Sequence, residues 1–361
     1  MSKAKVSNSD QEMYRRPLIS VAPMMDWTDR HERYLLRLIA TKILLYTEMI
    51  HVGAVLHGER DRHLAYSPEE HPLAIQLGGA DPSQLAQCAA IVEEWGFFEI
   101  NLNVGCPSDR VQHGQFGACL MAQPARVAEC VARMQDTVNI PISVKCRTGL
   151  DNDEGIDRLF TLVTHLHQVG CDKLIVHARH AWLNGLSPKQ NRQIPPLNYQ
   201  LVYEIKRLFP MMHVTLNGGI QNHKQIQQVL PKVDGVMVGR AAYQQPFLLQ
   251  EVDNLYYGRG VSSKSRVEVL DSYLDYVLVQ QQQFGVPLSA MVRHLFHFFH
   301  GVPGAKAWRR YLSDNLPRGN ASVATLREAA KSICIEDGRC PTNSHQEGHS
   351  CQLNHSLPSS P

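Results

Sequence analysis

The sequence lacks the features that mark membrane, secreted and disulfide-stabilised proteins. No apolar run is long enough to span a lipid bilayer, and residues 1–16 are polar with charges of both signs, so we expect no signal peptide. The nine cysteines are odd in number, scattered and without a CxxC pair, which is typical of reduced thiols rather than of a disulfide framework. We therefore expect a cytoplasmic protein with no membrane contact.

An excess of charge of one sign is also missing. The 361 residues contain 36 Lys and Arg against 34 Asp and Glu, a formal net charge of +2. This balance excludes a uniformly basic protein, so any nucleic-acid surface must be a local patch. With 43% hydrophobic and 19% charged residues, the chain is globular and long enough for an α/β barrel plus a smaller unit.

Eight short apolar runs, rich in β-branched residues, predict β-strands before Gln250. The runs are Leu18–Met24, Ile43–Thr47, Leu73–Leu77, Phe98–Leu102, Ile140–Cys146, Lys173–His177, Val214–Asn217 and Gly235–Val238. Helical patterns lie between them, for example at Ser83–Trp95, Pro124–Thr137, Gly155–Gln168 and His223–Leu230. This alternation indicates an α/β protein with a parallel sheet, and eight units favour a TIM (β/α)8 barrel over an open doubly wound sheet. The second strand is the weakest, because Ile43–Ile50 also fits a helix.

After Gln250 helical periodicity continues without strands. The helical segments are Val267–Gln283, Leu288–His300, Ala305–Asn315 and Val323–Ser332. We predict an N-terminal extension (1–16), the barrel (17–250), a C-terminal helical bundle domain (251–334) and a disordered tail (335–361) that is too polar to bury a core. The tail contains Cys340, His345, His349 and Cys351, but their spacing matches none of the standard zinc patterns, so we predict no metal site.

Polar residues at the carboxyl ends of barrel strands face the active-site mouth. Four such residues, Gln76, Asn103, Lys145 and His177, predict a planar polar ligand such as a flavin or a nucleobase. A lysine beside a flavin would stabilise the negative charge that develops on reduction. The turns Asn217-Gly218-Gly219 and Gly239-Arg240 follow strands seven and eight, where backbone amides next to glycine approach an anion closely. They predict a phosphate site.

The fourth strand ends in Asn101-Leu-Asn-Val-Gly-Cys106-Pro-Ser, which places a thiol in a Gly-Cys-Pro turn. An ordinary thiol, with a pKa of about 8.5, is mostly protonated at neutral pH and can donate a proton. A nucleophilic cysteine would instead need a histidine base, and His113 is close in sequence. Cys119 competes for either role, although its apolar neighbours favour packing. The residues alone leave these alternatives open.

In chain order these motifs resemble those of the tRNA dihydrouridine synthases, most closely the bacterial DusA subfamily. The resemblance covers residues 17–332. It is carried by Ala22-Pro-Met-Met-Asp-Trp-Thr-Asp29, Ile75-Gln-Leu-Gly-Gly79, Asn101-Leu-Asn-Val-Gly-Cys-Pro-Ser108, Val144-Lys-Cys-Arg147, Val176-His-Ala-Arg179, Asn217-Gly-Gly219 and Val238-Gly-Arg240. So many ordered motifs are specific, whereas a single Asn-Gly-Gly turn is not. One departure is Glu32, where the family more often has an uncharged residue.

The resemblance implies an enzyme that uses FMN, reduced by NADPH, to reduce the C5–C6 double bond of uridines in the tRNA D-loop, with positions 20 and 20a as the expected targets. Hydride would reach C6, and Cys106 would donate the proton to C5. Asn103 would face the uracil. The residues that would bind FMN are Pro23, Met24, Met25, Gln76, Lys145, His177, Asn217, Gly218, Gly219, Gly239 and Arg240.

Four cations are the expected tRNA contacts besides Asn103. The resemblance implies Lys189 and Arg192 in the segment 184–192. Lys306 and Arg309 are i,i+3 neighbours on one face of a predicted helix, which suits a phosphate backbone. A uridine in folded tRNA must leave its stack before it can react, which requires an RNA-binding surface beside the mouth. We expect tRNA and NADPH as partners and no stable protein partner.

Two other functions remain open from the sequence. One is a flavin barrel that reduces a free pyrimidine, which would have no use for the basic helical segment. The other is a tRNA-binding factor in which flavin chemistry is secondary, which would not depend on Cys106.

Overall fold

The computed structural model describes residues 13–153, 156–258 and 264–336 of the chain, and its eight parallel strands confirm the predicted TIM barrel. The strands are β1 (Ile19–Val21), β2 (Leu45–His51), β3 (Leu73–Gly78), β4 (Glu99–Val104), β5 (Ile142–Arg147), β6 (Lys173–His177), β7 (His213–Asn217) and β8 (Gly235–Val238). From β2 to β8 each strand pairs with the next, and β8 pairs with β1. A bridge between Ser20 and Leu44, just before β2, closes the barrel.

The second strand, which also fitted a helix, is extended. Its residues pair in parallel with β3 from Leu45 to His51, with a shift in register between Tyr46 and Met49. Its first three residues are buried, as expected for a strand enclosed between the barrel interior and a helical layer. The helical pattern in this part of the sequence is explained by a short helix that begins at Val52, directly after the strand.

Helices surround the barrel and continue beyond it. The α-helices are α1 (Arg30–Ile39), α2 (Val52–His57), α3 (Arg60–Leu64), α4 (Pro82–Trp95), α5 (Asp109–His113), α6 (Pro124–Gln135), α7 (Asp157–Gln168), α8 (Tyr199–Leu208), α9 (His223–Val229), α10 (Arg240–Gln244), α11 (Val252–Tyr257), α12 (Arg266–Phe284), α13 (Leu288–Val292), α14 (Ala305–Asn315) and α15 (Val323–Glu336). Short 3₁₀ helices lie at Pro68–Glu70, Gly117–Ala122, Gln190–Arg192, Leu230–Lys232, Pro246–Leu249 and Arg293–His297.

Local sequence explains where the helices begin and end. In α4, Pro82 occupies the first turn and Asp81 caps the helix by accepting a hydrogen bond from the Gln84 amide. Gly285, in the left-handed region, ends α12, which begins with a capping box of Ser265 and Glu268. These signals agree with the predicted helical segments. The exception is Leu288–His300, which is divided into α13 and the 3₁₀ helix Arg293–His297.

The C-terminal helices share a hydrophobic core with the outside of the barrel. One continuous cluster of buried residues includes Leu35 and Leu36 of α1 together with Leu270 of α12 and Trp308 of α14. The rings of Tyr34 and Tyr276 stack between α1 and α12, with centroids 3.9 Å apart. The helices are therefore packed firmly against the barrel, and their role as a separate tRNA-binding domain stays a prediction.

Glu32, the departure from the family pattern, is buried at this contact. The His294 ring lies between two carboxylates, with Nε2 3.0 Å from Asp29 and Nδ1 3.3 Å from Glu32. Arg293 also donates to Asp29 at 2.6 Å. Burial, together with the charge of Asp29, raises the pKa of the Glu32 carboxyl well above its usual value. Glu32 thus forms part of the packing between α1 and the C-terminal helices.

The barrel interior contains both apolar and polar side chains. Its apolar part is a small cluster of buried side chains: Ala22, Leu44, Tyr46, Ala74, Ile175 and Met237. The same space holds buried polar side chains of four strands: Gln76, Glu99, Asn101, Ser143 and Lys173. Buried polar groups are stable only when each finds a partner, so this interior must be a hydrogen-bonded network.

Several predicted features lie outside the described residues. These are the tail after Glu336, with its four Cys and His residues, and the first twelve residues of the N-terminal extension. Among the residues that are described, no group of three or more His, Cys, Asp or Glu side chains could hold a metal ion. In the same part of the chain, no helix is both long and apolar enough to cross a membrane.

A buried ion pair connects α1 to the segment before β3. Arg33 Nε donates to Glu70 Oε2 at 2.7 Å, and both side chains are almost fully buried. The Ser67 amide donates to the other oxygen of Glu70 at 2.6 Å, and Arg33 Nη1 donates to the Thr28 carbonyl at 2.8 Å. Both carboxylate oxygens of Glu70 and two of the three guanidinium nitrogens of Arg33 therefore have hydrogen-bond partners.

Replacing Glu70 with Gln should therefore destabilise the protein strongly. The substitution keeps the shape of the side chain but leaves the buried Arg33 guanidinium without a counter-charge, which costs about 3–5 kcal/mol of unfolding free energy. Denaturant unfolding of the full-length protein measures this loss. The control is Glu69→Gln, an exposed neighbour on the same 3₁₀ helix. Equal losses for the two variants would contradict the prediction.

Candidate active site

The structure brings the predicted strand-end residues together at one end of the barrel. Strand register places Asn103 beside Lys145 and His177 beside Asn217. Lys145 is two residues after Ser143, and His177 is two residues after Ile175, and both earlier side chains lie inside the barrel. Because side chains alternate along a strand, Lys145 and His177 also point inward, at the mouth.

Asn103 holds the loop that carries the thiol. Its Oδ1 accepts hydrogen bonds from the amides of Gly105 at 3.1 Å and Cys106 at 3.0 Å, and its Nδ2 donates to Gln76 Oε1 at 2.8 Å. The Asn103 side chain is 8% exposed. One Nδ2 hydrogen is left for a ligand. Sequence reasoning predicted a contact with a base and missed this structural role.

The Cys106 thiol is half-buried on this loop. Its Sγ donates to Ser108 Oγ at 3.5 Å, and its carbonyl accepts a hydrogen bond from the Ala118 amide at 2.9 Å. The proposed base for a nucleophilic cysteine, His113, is exposed and donates from Nδ1 to the Asp109 carbonyl in its own helix. The geometry therefore offers Cys106 no histidine base from that position.

Cys119, the competing thiol, follows the loop in a 3₁₀ helix. Its side chain is half-buried and its neighbours Ala118 and Leu120 are fully buried. Burial raises the pKa of the Cys119 thiol. This environment agrees with the packing role favoured by the sequence.

Lys145 and His177 are the electrostatic centre of the mouth. Among the described residues, neither side chain has a hydrogen-bond or ion-pair partner, although both are half-buried. Burial and the nearby Arg147 lower the pKa of Lys145 to about 8. Burial and the same cations hold the pKa of His177 well below its usual value. Polar groups that are buried without partners cost free energy, which a ligand with acceptor oxygens or ring nitrogens would recover.

The two glycine turns form a backbone corner next to this pair. Gly218 and Gly219 have φ values of +121° and +73°, and a Cβ at Gly219 would lie 2.5 Å from Leu197 Cδ1. Only glycine fits there without strain. The Tyr199 hydroxyl fastens the turn by donating to the Gly218 carbonyl at 2.6 Å, and Asn217 Nδ2 donates to the Met237 carbonyl across to β8.

The turn after β8 completes this corner. A Cβ at Gly239 would meet no atom closer than 3.9 Å, so open space borders the backbone there. Arg240 follows and donates to the Arg192 carbonyl at 3.3 Å. Backbone turns, Arg240, Lys145 and His177 together are a donor set that suits a phosphorylated ring compound, and the residues present fit FMN.

Pro23, Met24 and Met25 follow β1, which pairs with β8, so they border the same corner. The Met24 amide donates to Thr28 Oγ1 at 2.9 Å, which shapes the turn. Met25 is 55% exposed, so its side chain is open to a ligand or to solvent. The structure thus gathers ten of the eleven predicted cofactor residues around one mouth, while Gln76 is 2% exposed and its amide group bonds to Asn101 and Asn103 inside the barrel.

Arg147 connects the thiol loop to the segment that carries Lys189 and Arg192. Its Nε donates to the Gly105 carbonyl at 3.1 Å, and its Nη1 donates to the Asn191 carbonyl at 3.1 Å. Asn191 is fully buried, while Lys189 and Arg192 are exposed. Sequence reasoning gave Arg147 and Asn191 no separate roles. The spacing of Arg147, two residues after Lys145 on the same strand face, was an available signal.

Lys306 and Arg309 lie on α14, which Trp308 anchors by donating from Nε1 to the Leu295 carbonyl at 2.6 Å. Within the described part of the chain neither cation has a hydrogen-bond or ion-pair partner, whereas Arg310 Nε lies 3.6 Å from Asp314. The aromatics Phe298 and Phe299 are buried in the core. The exposed charge of α14 is therefore available to a partner.

Comparisons with known proteins agree with this geometry. The family model described as dihydrouridine synthase (Dus) matches residues 20–334. Proteins named tRNA-dihydrouridine(20/20a) synthase are similar to this chain. The one from Shewanella oneidensis is 50% identical over 87% of this chain and 93% of its own length, and that of Escherichia coli K12 is 50% identical over 87% and 91%. A Synechocystis relative of the same name is 52% identical over 86% and 93%.

Among solved structures, a 2-naphthoyl-CoA reductase in complex with 2-naphthoyl-CoA matches with a TM-score of 0.51 at 10% identity, over 67% of this chain and 50% of that one. At this identity the likeness concerns the fold alone. The family match spans the barrel and the C-terminal helices, and it includes every motif gathered at the mouth. The chain therefore belongs to the dihydrouridine synthase family.

Proposed function

We propose that this protein is a tRNA-dihydrouridine synthase that uses FMN, reduced by NADPH, to reduce the C5–C6 double bond of uridines in the D-loop, at positions 20 and 20a. The observation that carries the proposal is the Cys106 thiol, held at the mouth beside the unpartnered Lys145. Relatives about half identical in sequence bear the name of this activity. A cytoplasmic location belongs to the same proposal.

The cofactor residues divide into two groups by what they offer. The turns at Asn217–Gly219 and Gly239–Arg240 offer backbone amides and a guanidinium to a phosphate. Lys145 and His177 offer polar groups to a flavin ring, and Pro23, Met24 and Met25 border the same space. Gln76 already bonds to Asn101 and Asn103 and has one Nε2 hydrogen left for the ring. When bound, FMN supplies the hydride that adds to C6 of the uracil.

Cys106 supplies the proton that completes the reduction. Its S–H bond breaks, the proton adds to C5, and the thiolate later regains a proton from solvent, which the half-exposed side chain can reach. Lys145 and Arg147 lie within electrostatic range of the thiol. Asn103 fixes the loop and has one amide hydrogen left for a uracil oxygen.

The tRNA must present a uridine that has left its base stack. Lys189 and Arg192, exposed beside the mouth, suit phosphates near the flipped nucleotide. Lys306 and Arg309 suit tRNA phosphates that lie farther from the flipped nucleotide. Their helix, α14, packs on the 3₁₀ helix Arg293–His297 through Trp308, and His294 of that 3₁₀ helix contacts Asp29, which follows the turn after β1. This arrangement favours a folded RNA over a free pyrimidine, which would leave α14 without a ligand.

Cys106→Ala should abolish most of the activity. Loss of a general acid lowers the rate about one hundred- to ten-thousandfold, while FMN binding is kept because the thiol is absent from the phosphate corner. Dihydrouridine formed in unmodified tRNA measures the rate, and flavin absorbance measures the cofactor content. The matched control is Cys119→Ala, which should stay near wild type. Full dihydrouridine formation by Cys106→Ala would refute the assignment.

Lys145→Met should have opposite effects on stability and on binding. Without ligand the variant should unfold at a higher temperature, because an unpartnered half-buried ammonium is removed. Its affinity for FMN should fall about ten- to a hundredfold, as expected for a lost charged hydrogen bond. Thermal unfolding and flavin fluorescence titration measure the two effects.

The pH dependence and a second lysine serve as controls for this prediction. The pKa of Lys145 is about 8, so its charge and the wild-type affinity for FMN should decline between pH 7 and pH 9, and Lys145→Met should show no such decline. Lys173→Met removes the other interior lysine, which is paired with Glu99, and should destabilise the protein. Destabilisation by Lys145→Met, with FMN affinity kept, would contradict the proposed role.

The double variant Lys306→Ala/Arg309→Ala should weaken tRNA binding without changing FMN binding. Two lost phosphate contacts reduce the slope of log affinity against log salt by about 2. Filter binding or fluorescence anisotropy at several salt concentrations measures the slope. Arg310→Ala, on the same helix but paired with Asp314, is the control and should leave it unchanged. An unchanged slope in the double variant would place the tRNA elsewhere.

A further inference from the structure

A continuous chain of buried hydrogen bonds runs through the barrel from its amino-terminal end to the thiol loop. It begins at the ion pair of Lys173 with Glu99, at the start of β6 and β4. Its other members are Ser143, Asn101, Gln76 and Asn103. The six side chains are between 0% and 8% exposed, so water does not compete for these bonds.

The four links between Glu99 and Asn103 are short, and each joins neighbouring strands. Ser143 Oγ donates to Glu99 Oε1 at 2.5 Å, and Asn101 Nδ2 donates to Ser143 Oγ at 2.8 Å. Gln76 Nε2 donates to Asn101 Oδ1 at 2.7 Å, and Asn103 Nδ2 donates to Gln76 Oε1 at 2.8 Å. Asn103 Oδ1 then accepts the Gly105 and Cys106 amides.

The negative charge of Glu99, at the amino-terminal end of the barrel, determines which group donates and which accepts in every hydrogen bond of the chain. An ionised carboxylate only accepts hydrogen bonds, so Ser143 must donate to Glu99 and has lone pairs left for Asn101. Asn101 must then turn its oxygen toward Gln76, and Gln76 must turn its oxygen toward Asn103. The Asn103 oxygen consequently faces the thiol loop. A flipped Asn103 would set its own N–H groups against two backbone N–H groups and release the loop.

We propose that Ser143 and Asn101 are positioning residues, which act through Gln76 and Asn103 to hold the Cys106 loop in its reactive arrangement. The inference rests on the proposed function, because it takes Cys106 as the proton donor. The chain ends on the backbone amide of Cys106, and its last three members, Asn101, Gln76 and Asn103, are carboxamides, which do not pass on a proton at neutral pH. The chain of hydrogen bonds therefore orients Cys106 and does not return a proton to its thiolate.

The test compares Ser143→Ala with Ser20→Ala. Both serines are buried on barrel strands, but Ser20 lies outside the chain of hydrogen bonds. In the full-length protein without cofactor, Ser143→Ala should raise the hydrogen–deuterium exchange rate of the Gly105 and Cys106 amides about tenfold, the effect of one weakened hydrogen bond. Ser20→Ala should leave both rates at the wild-type level. Ser143→Thr restores the hydroxyl and should restore slow exchange.

A second readout separates positioning from general stability. With reduced enzyme in single turnover, Ser143→Ala should slow uridine reduction about tenfold while the Kd for tRNA stays unchanged. Ser143→Cys, which keeps the volume and weakens both hydrogen bonds, should move both readouts in the same direction and serves if the alanine variant folds poorly. Unchanged exchange in Ser143→Ala and Ser143→Cys, equal effects in Ser20→Ala, or faster exchange with an unchanged rate of uridine reduction would each overturn the proposal.

The same experiments distinguish this inference from the proposed function. If Cys106→Ala keeps full activity, the acid assignment fails, whereas the exchange rates still report on whether Ser143 controls the loop. If Cys106→Ala is inactive and Ser143→Ala behaves as wild type, only the positioning role fails.

Discussion

The buried ion pair between Glu99 and Lys173 is the interaction on which the rest of the site depends. Two charges inside a barrel are stable only when they face each other and when their remaining hydrogen-bonding capacity is used. Tyr46 and Ser143 donate to Glu99, and the network that starts there ends at the Cys106 amide. The barrel interior therefore contains polar residues where a packed barrel would place branched aliphatic ones.

The two ends of the barrel differ in whether their charged side chains have partners. At the amino-terminal end of the barrel, Glu99 and Lys173 pair with each other. At the carboxyl ends of the strands, Lys145 and His177 are half-buried and have no hydrogen-bond or ion-pair partner in the described part of the chain. Such groups lower the stability of the free protein, and their cost is recovered when a ligand binds. The hydrogen-bonded network at the amino-terminal end makes the site rigid, and the polar side chains without partners at the mouth make it ready for a ligand.

The fold was largely predictable from the sequence, because buried parallel strands appear as short apolar runs and helix ends are marked by local residues such as Pro82 and Gly285. All eight strands lie where the runs predicted them, and β2 extends further than its run. The roles of Asn103, Arg147 and Asn191 were less accessible. Arg147 bonds to the carbonyls of Gly105 and Asn191, which are 42 and 44 positions away and are brought close only by folding. Asn103 and Asn191 bond to backbone groups within nine positions, so these are local turns of a kind that asparagine commonly forms.

The sequence by itself determined the barrel, the family and the identity of the residues at the mouth, since strand periodicity places alternate side chains inward and the motifs follow in order. Only the tertiary structure decided which of these residues have partners. Hydrogen bonds between β3, β4 and β5 join residues that are 25 to 44 positions apart. Their direction depends on a charge at the far end of the barrel, and this dependence exists only once the strands are side by side.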